Sequence, residues 1–285
     1  MATGHQRVYG VPTMMQGELE SDVMLISSLT APLAPIEDVA RRLLNSVCPL
    51  FVLTAPQRPY LIGTGTPLQI GGVSVIVTAA HVLRQYGNAS ILTLGVDHAL
   101  ELTGERRGFG YIPGHTADPD LAVIILNDQE REAIRRHYDM SYFQSCGPLH
   151  RSLTGAFYVV AGYPQSQNKL SPRLMRSNRA VGLYYISRCR VSVAELRQHG
   201  KYDQVHFALG APPRGAIRTD GGRVSFSSPS GLSGGGVWRL LPGRTAASAP
   251  LPVLVGILIE HHRRLGIFVC TRVREVETMV HELAI

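Results

Sequence analysis

Between Val47 and Thr271 the sequence breaks into short runs rich in Val, Ile, Leu and Tyr, each bounded by Gly, Pro, Asn or Asp. Runs of that length suit strands and are too short for a stable core helix. Strands are expected at Val47 to Thr54, Tyr60 to Thr64, Val73 to Thr78, Ser90 to Leu94, Leu100 to Thr103 and Leu121 to Leu126. The second half repeats the pattern at Phe157 to Gly162, Ala180 to Val191, Val205 to Leu209, Val237 to Leu241, Val253 to Ile259 and Gly266 to Thr271. So many strands with few helices between them exclude β-α-β crossovers and predict an all-β fold of closed or stacked antiparallel sheets. Gly71-Gly72, where both residues accept positive φ, predicts a tight hairpin before Val73.

Helical periodicity is confined to three places. Ile36 to Asn45 sets Val39, Leu43 and Leu44 on one face, Gln129 to Tyr138 reads as a connector, and Val273 to Leu283 aligns Val276, Val280 and Leu283. A chain of 285 residues with 45% hydrophobic and 17% charged residues, 29 Gly and 18 Pro has enough apolar mass for a core and many turns, which disfavours coiled coils. No apolar run approaches the roughly 20 residues of a membrane span, and no apolar stretch of signal-peptide type follows His5, Gln6 and Arg7. The reading is therefore of a cytoplasmic protein, with no membrane partner.

Cys48, Cys146, Cys189 and Cys270 lie far apart without a C-x-x-C pair, so reduced thiols are expected rather than a metal or redox motif. The formal charge is +7, and all the basic residues but Lys169 and Lys201 are Arg. The Arg doublets are scattered, which argues for a solvated surface and against a nucleic-acid groove.

Chemistry concentrates in three segments. Thr78-Ala79-Ala80-His81 ends a strand in small residues ahead of a histidine, and Asp120-Leu121-Ala122-Val123 places a carboxylate at the mouth of an apolar strand. Gly231-Leu232-Ser233-Gly234-Gly235-Gly236 flanks a serine with glycines that allow a sharp turn, so that amides converge while the hydroxyl stays exposed. Acyl transfer needs that geometry, because a serine hydroxyl is a weak nucleophile without a base and the developing oxyanion needs donors.

In the order His, Asp, Ser on an all-β background, these segments resemble the chymotrypsin-like (trypsin-like) serine peptidases over roughly Val47 to Arg272. Val255-Gly256-Ile257 is similar to the strand after the nucleophile, while Gly63-Thr64-Gly65-Thr66 and Ala161-Gly162-Tyr163-Pro164 look like the bacterial branch. The resemblance implies two six-stranded antiparallel β-barrels, near residues 47–150 and 151–272, after an N-terminal extension over 1–46 and before a C-terminal helix. It implies a serine endopeptidase acting on a protein or peptide. Ser233 is then the nucleophile, His81 the proton shuttle and Asp120 its orienting carboxylate, with the Gly231 and Ser233 amides as the oxyanion hole. Asp118 is the rival carboxylate but lacks the following Leu-Ala-Val.

Leu232 stands where trypsin-type zymogens carry an Asp, so control has to come from the extension, an activating protein partner or the loop itself. Val82 follows His81 where secreted members carry a cysteine, which points to a reducing compartment. By the same resemblance Ser227, beside Ser228, is expected at the floor of the specificity pocket, which implies a neutral preference. The cluster Glu260-His261-His262 lacks helical ligand spacing, and Gly63-Thr64-Gly65 lacks a dinucleotide fingerprint, so neither metal nor cofactor is expected. A catalytically silent binding module on the same barrels is the alternative.

Overall fold

The computed structural model describes residues 34–283 apart from 56–57, 96–98, 110–117, 139–140, 143–156, 169–179, 188–189, 192–196, 198–200, 202–203, 212–214, 219–220, 225–229 and 242–248. Ser227 and Ser228, and with them the expected floor of the specificity pocket, lie outside the described residues.

The first half forms β1 (Cys48–Ala55), β2 (Arg58–Ile70), β3 (Val73–Ala79), β4 (Ile91–Leu94), β5 (Ala99–Leu102), β6 (Arg106–Phe109), β7 (Leu121–Ile125) and β8 (Ser141–Tyr142). They pair in the order β5-β4-β1-β2-β3-β7-β6, with β8 alongside β2. The thirteen-residue β2 carries the sheet around its bend, pairing with β1 over its first half and β3 over its second. Gly71 and Gly72 take φ of 55° and 86° in the β2–β3 hairpin, as that turn requires.

The second half forms β9 (Phe157–Gly162), β10 (Leu183–Ser187), β11 (Arg190–Val191), β12 (His206–Gly210), β13 (Ala216–Arg218), β14 (Arg223–Val224), β15 (Gly236–Leu241), β16 (Leu251–His262) and β17 (Ile267–Arg272). Their order is β11-β12-β17-β16-β15-β9-β10-β13-β14. Together the two antiparallel sheets make a two-barrel, chymotrypsin-like fold.

The apolar runs of the second sheet do not alternate with polar residues because both of its faces are buried. On β9, Tyr158 and Val160 pack into the sheet's own core while Val159 and Ala161 join the larger core shared with the first sheet. On β17, Phe268 and Cys270 point one way and Ile267 and Val269 the other. The shared core therefore clamps the sheets together, and the functional loops lie along that seam.

Among the described residues, four α-helices complete the fold: α1 (Ala34–Leu43), α2 (Ala80–Arg84), α3 (Asp128–His137) and α4 (Val273–Leu283). The α1 helix buries Ile36, Val39, Ala40 and Leu43 in the shared core, so part of the expected extension packs as an element of the body. The Asn127 side chain caps α3 in a capping box with Glu130. The α4 helix closes the chain by burying Val273, Val276, Met279 and Val280. Among the described residues, no helix is long and apolar enough to cross a membrane.

Candidate active site

His81 is placed by the join of β3 and α2. The strand ends in Ala79 and the helix opens on Ala80, both buried and small enough to pass under the turn, and the ring emerges on the helix with its side chain 45% exposed. Its Nδ1 lies 2.6 Å from Asp120 Oδ2, and its backbone N–H donates to Asp120 Oδ1 at 3.0 Å. A carboxylate only accepts, so Nδ1 carries the proton and Nε2 keeps its lone pair for a neutral imidazole. Arg84, one turn along α2, adds a third contact by donating to Asp120 Oδ1 at 2.9 Å. Asp120, not Asp118, thus meets the imidazole. Asp118 caps the turn instead, its Oδ1 accepting the Asp120 N–H at 2.7 Å.

Ser233 sits on the tight turn before β15. Gly231 and Gly234 have φ of 93° and 92°, a region that L side chains avoid. A Cβ on Gly234 would run into the Thr64 carbonyl, and one on Gly231 would come within 2.7 Å of the Tyr163 carbonyl. These glycines are therefore required twice over, by conformation and by space.

The first sheet fastens this loop. Thr64 donates through Oγ1 to the Gly231 carbonyl at 2.7 Å and through its backbone N–H to the Ser233 carbonyl at 2.9 Å. Thr66 Oγ1 donates to the Gly234 carbonyl at 2.9 Å. Thr64 Oγ1 also accepts the Tyr163 N–H, and the Thr78 hydroxyl donates to the Thr64 carbonyl. All three threonines are fully buried. Three carbonyls of the serine loop thus face the first sheet, while the amides of Gly231 and Ser233 meet no hydrogen-bond acceptor among the described residues. Gly63 and Gly162 give the close approach, since a Cβ on the former would overlap Val82 and one on the latter would press on Leu232 and Thr64. Leu232 itself is buried in the core of the second sheet and anchors the loop by apolar packing.

His81, Asp120, Gly231, Leu232 and Ser233 line one cleft of about 440 Å³, whose other walls include Tyr60, Tyr86, Gln165, Glu260 and His261. The Ser233 hydroxyl makes its hydrogen bond to the Ile259 carbonyl, at 3.3 Å, rather than to His81. On the far wall Glu260 pairs with Lys201 at 3.3 Å and with His262 at 2.8 Å. Burial first, then the neighbouring His262 and Arg263 charges, hold His261 below the ordinary imidazole value. Among the described residues no cluster of His, Cys, Asp or Glu is arranged to hold a metal ion. Cys48 and Cys270 are free and buried away from the cleft, and burial pushes the Cys48 thiol up to about 12.

Sequence reasoning missed several supporting groups. Arg84 carries the helical i+3 spacing from His81 that makes its contact legible in retrospect, whereas His206 and Thr271, which meet the Asp118-Pro119 carbonyls, carry no local signal.

No protein-family model matches the sequence, and no curated protein matches it. The fold is similar to that of human heparin binding protein, at 11% identity over 85% of this chain and 92% of that one, with a TM-score of 0.50. The protease Anisep from Arthrobacter nicotinovorans aligns at 11% identity over 80% of this chain and 90% of that one, with a TM-score of 0.46. At such identities the likeness is one of architecture, and the chain has the two-barrel fold of the trypsin-like proteins.

Proposed function

We propose that the protein is a serine endopeptidase that cleaves peptide bonds through an acyl-enzyme. One observation carries the reading: an imidazole oriented by a carboxylate at 2.6 Å opens onto the same cleft as a serine whose loop turns three carbonyls away and whose Gly231 and Ser233 amides meet no acceptor among the described residues. In this mechanism Ser233 rotates from Ile259 toward His81, and Nε2 takes the hydroxyl proton as Oγ bonds to the scissile carbonyl carbon. The Gly231 and Ser233 amides receive the oxyanion, and Asp120 stabilises the imidazolium. The imidazolium then protonates the leaving amine as the C–N bond breaks. Water, deprotonated by the same ring, releases the acyl group and restores Ser233.

The cleft favours an extended peptide over a small ester. Pairing of β15 with β16 ends at Gly236 and Ile257, and β16 continues along the cleft wall through Ile259, Glu260 and His261, past Ser233. A strand that runs past a nucleophile can receive an extended peptide by strand addition. Ser227 and Ser228 remain our proposal for a neutral specificity floor, and the two free buried thiols fit a reducing, cytoplasmic setting.

A second reading has its own support. A neighbour of this fold is named for binding heparin, a polyanion, and this chain carries a formal charge of +7, so a silent binding module for an anionic partner is the competitor. A fluorophosphonate probe separates the two. The peptidase reading expects labelling of the wild type and none of Ser233→Ala, with peptides hydrolysed faster than matched small esters. A folded wild type that never labels and never cuts leaves the binding reading standing.

A further inference from the structure

We propose that His206 and Thr271, both in the second sheet, are positioning residues that hold Asp120 in its working conformation. The proposal rests on the peptidase reading for its kinetic consequence, but its structural core stands apart from it. Asp120 has φ of 47°, and it is the one non-glycine residue at positive φ among the described residues. That left-handed conformation is strained for a residue with a Cβ and persists only where the surroundings enforce it. The enforcement is visible. The Asp118 carbonyl accepts from His206 Nε2 at 3.1 Å, the Pro119 carbonyl accepts from Thr271 Oγ1 at 2.6 Å, and the Asp120 carbonyl accepts from the Ala80 N–H at 2.8 Å.

Three consecutive carbonyls are therefore fixed, two of them by the opposite barrel. His206 and Thr271 are directly paired across β12 and β17, are both fully buried, and present their donors side by side to the turn. A carbonyl cannot donate, so Nε2 of His206 carries a proton. Pro119, with no N–H and a fixed φ, cannot anchor the turn from its own side. Releasing either carbonyl lets the turn relax toward negative φ and moves the Asp120 carboxylate off the 2.6 Å contact with His81.

The test uses the full chain with Thr271→Val, Thr271→Ser, His206→Leu and His206→Gln. It reads two signals: the low-field proton resonance of the His81–Asp120 hydrogen bond, and the rate of fluorophosphonate labelling alongside peptide hydrolysis. Removing the hydroxyl at 271 or the donor at 206 is expected to broaden or abolish the resonance and to slow labelling about 10- to 100-fold, the scale of a misplaced catalytic group. The loss should fall on kcat with KM unchanged, and Thr271→Ser and His206→Gln should recover most of it. If Thr271→Val does not fold, His206→Leu and the Thr271→Ser recovery carry the same comparison. A folded Thr271→Val or His206→Leu protein that keeps the wild-type resonance and rate overturns the proposal. A wild type that never labels defeats the peptidase reading instead, and the resonance still decides whether the bracket positions Asp120.

Discussion

The serine loop and the aspartate turn belong to different barrels, and each is fastened by the barrel it does not belong to. Thr64 and Thr66 of the first sheet bind the carbonyls of Gly231, Ser233 and Gly234, while His206 and Thr271 of the second bind those of Asp118 and Pro119. Their backbones differ. The serine loop makes its sharp turns at Gly231 and Gly234, where positive φ is free of strain, whereas the aspartate turn places positive φ on Asp120 itself. The serine loop can use glycine because its bent positions contribute backbone groups only. The aspartate turn cannot, because the bent residue must supply the carboxylate. Strain is tolerated where the side chain is needed, and bracing from the opposite barrel offsets it.

The contrast is broken most severely at Gly234. Gly234→Ala puts a Cβ onto the Thr64 carbonyl at a φ of 92°, with backbone rather than a flexible side chain in the way. We expect a loss of at least about 3 kcal/mol, beyond the ordinary range for a single substitution, with fluorophosphonate labelling abolished. Denaturant unfolding alongside labelling checks it, and a folded, labelling Gly234→Ala protein would show that the loop need not sit on Thr64.

Thr64→Val is the next largest. It keeps shape but leaves two buried groups without their partner, the Gly231 carbonyl and the Tyr163 N–H, at about 1 to 3 kcal/mol each. Thr66→Val strands only the Gly234 carbonyl and should cost about half as much. Equal unfolding free energies for the two variants would mean that Thr64 is not the hub of the seam. On the aspartate side, Asp118→Ala removes the acceptor of the Asp120 N–H at an exposed turn. It should cost about 1 kcal/mol and slow labelling less than tenfold, because the two cross-barrel donors remain.

What could be read from the sequence follows the range of the interaction. His81 and Ser233 were legible because their settings, small residues before a helix turn and glycines around a hydroxyl, are dictated by neighbouring backbone. Asp120 was separable from Asp118 by the apolar strand that follows it, and the structure gives the reason: β7 pairs with β3 from Leu121–Ala79 onward, which delivers Asp120 beside His81. His206 and Thr271 lie 88 and 152 residues from their acceptors, a relation that no local pattern encodes. β6 was missed because Arg106 and Arg107 interrupt any apolar run, while its pairing with β7 uses backbone alone. The α1 helix was readable from its period, but the turn that follows it sets Leu44 over Gly182, a contact that only the folded chain reveals.

The smallest expected effect is one of pH, at His261 on the cleft wall. Its folded form binds a proton less readily than the ordinary imidazole value of 6.5, first through burial and then through His262 and Arg263. The unfolded chain therefore holds more protons as pH drops below 6.5, and by linkage stability falls with pH in that window. Above it both states are neutral at this site and the contribution vanishes. Half-exposure of the ring limits the size through solvent screening. Between about pH 7.5 and about pH 5.5 the thermal midpoint of His261→Gln should fall less than that of the wild type, by roughly 1 to 2 °C. His137, also held low by burial but distant in sequence on α3, should leave a slope of its own in both proteins and so serves as the internal control. Identical slopes for wild type and His261→Gln would place the acid-sensitive group elsewhere than the cleft.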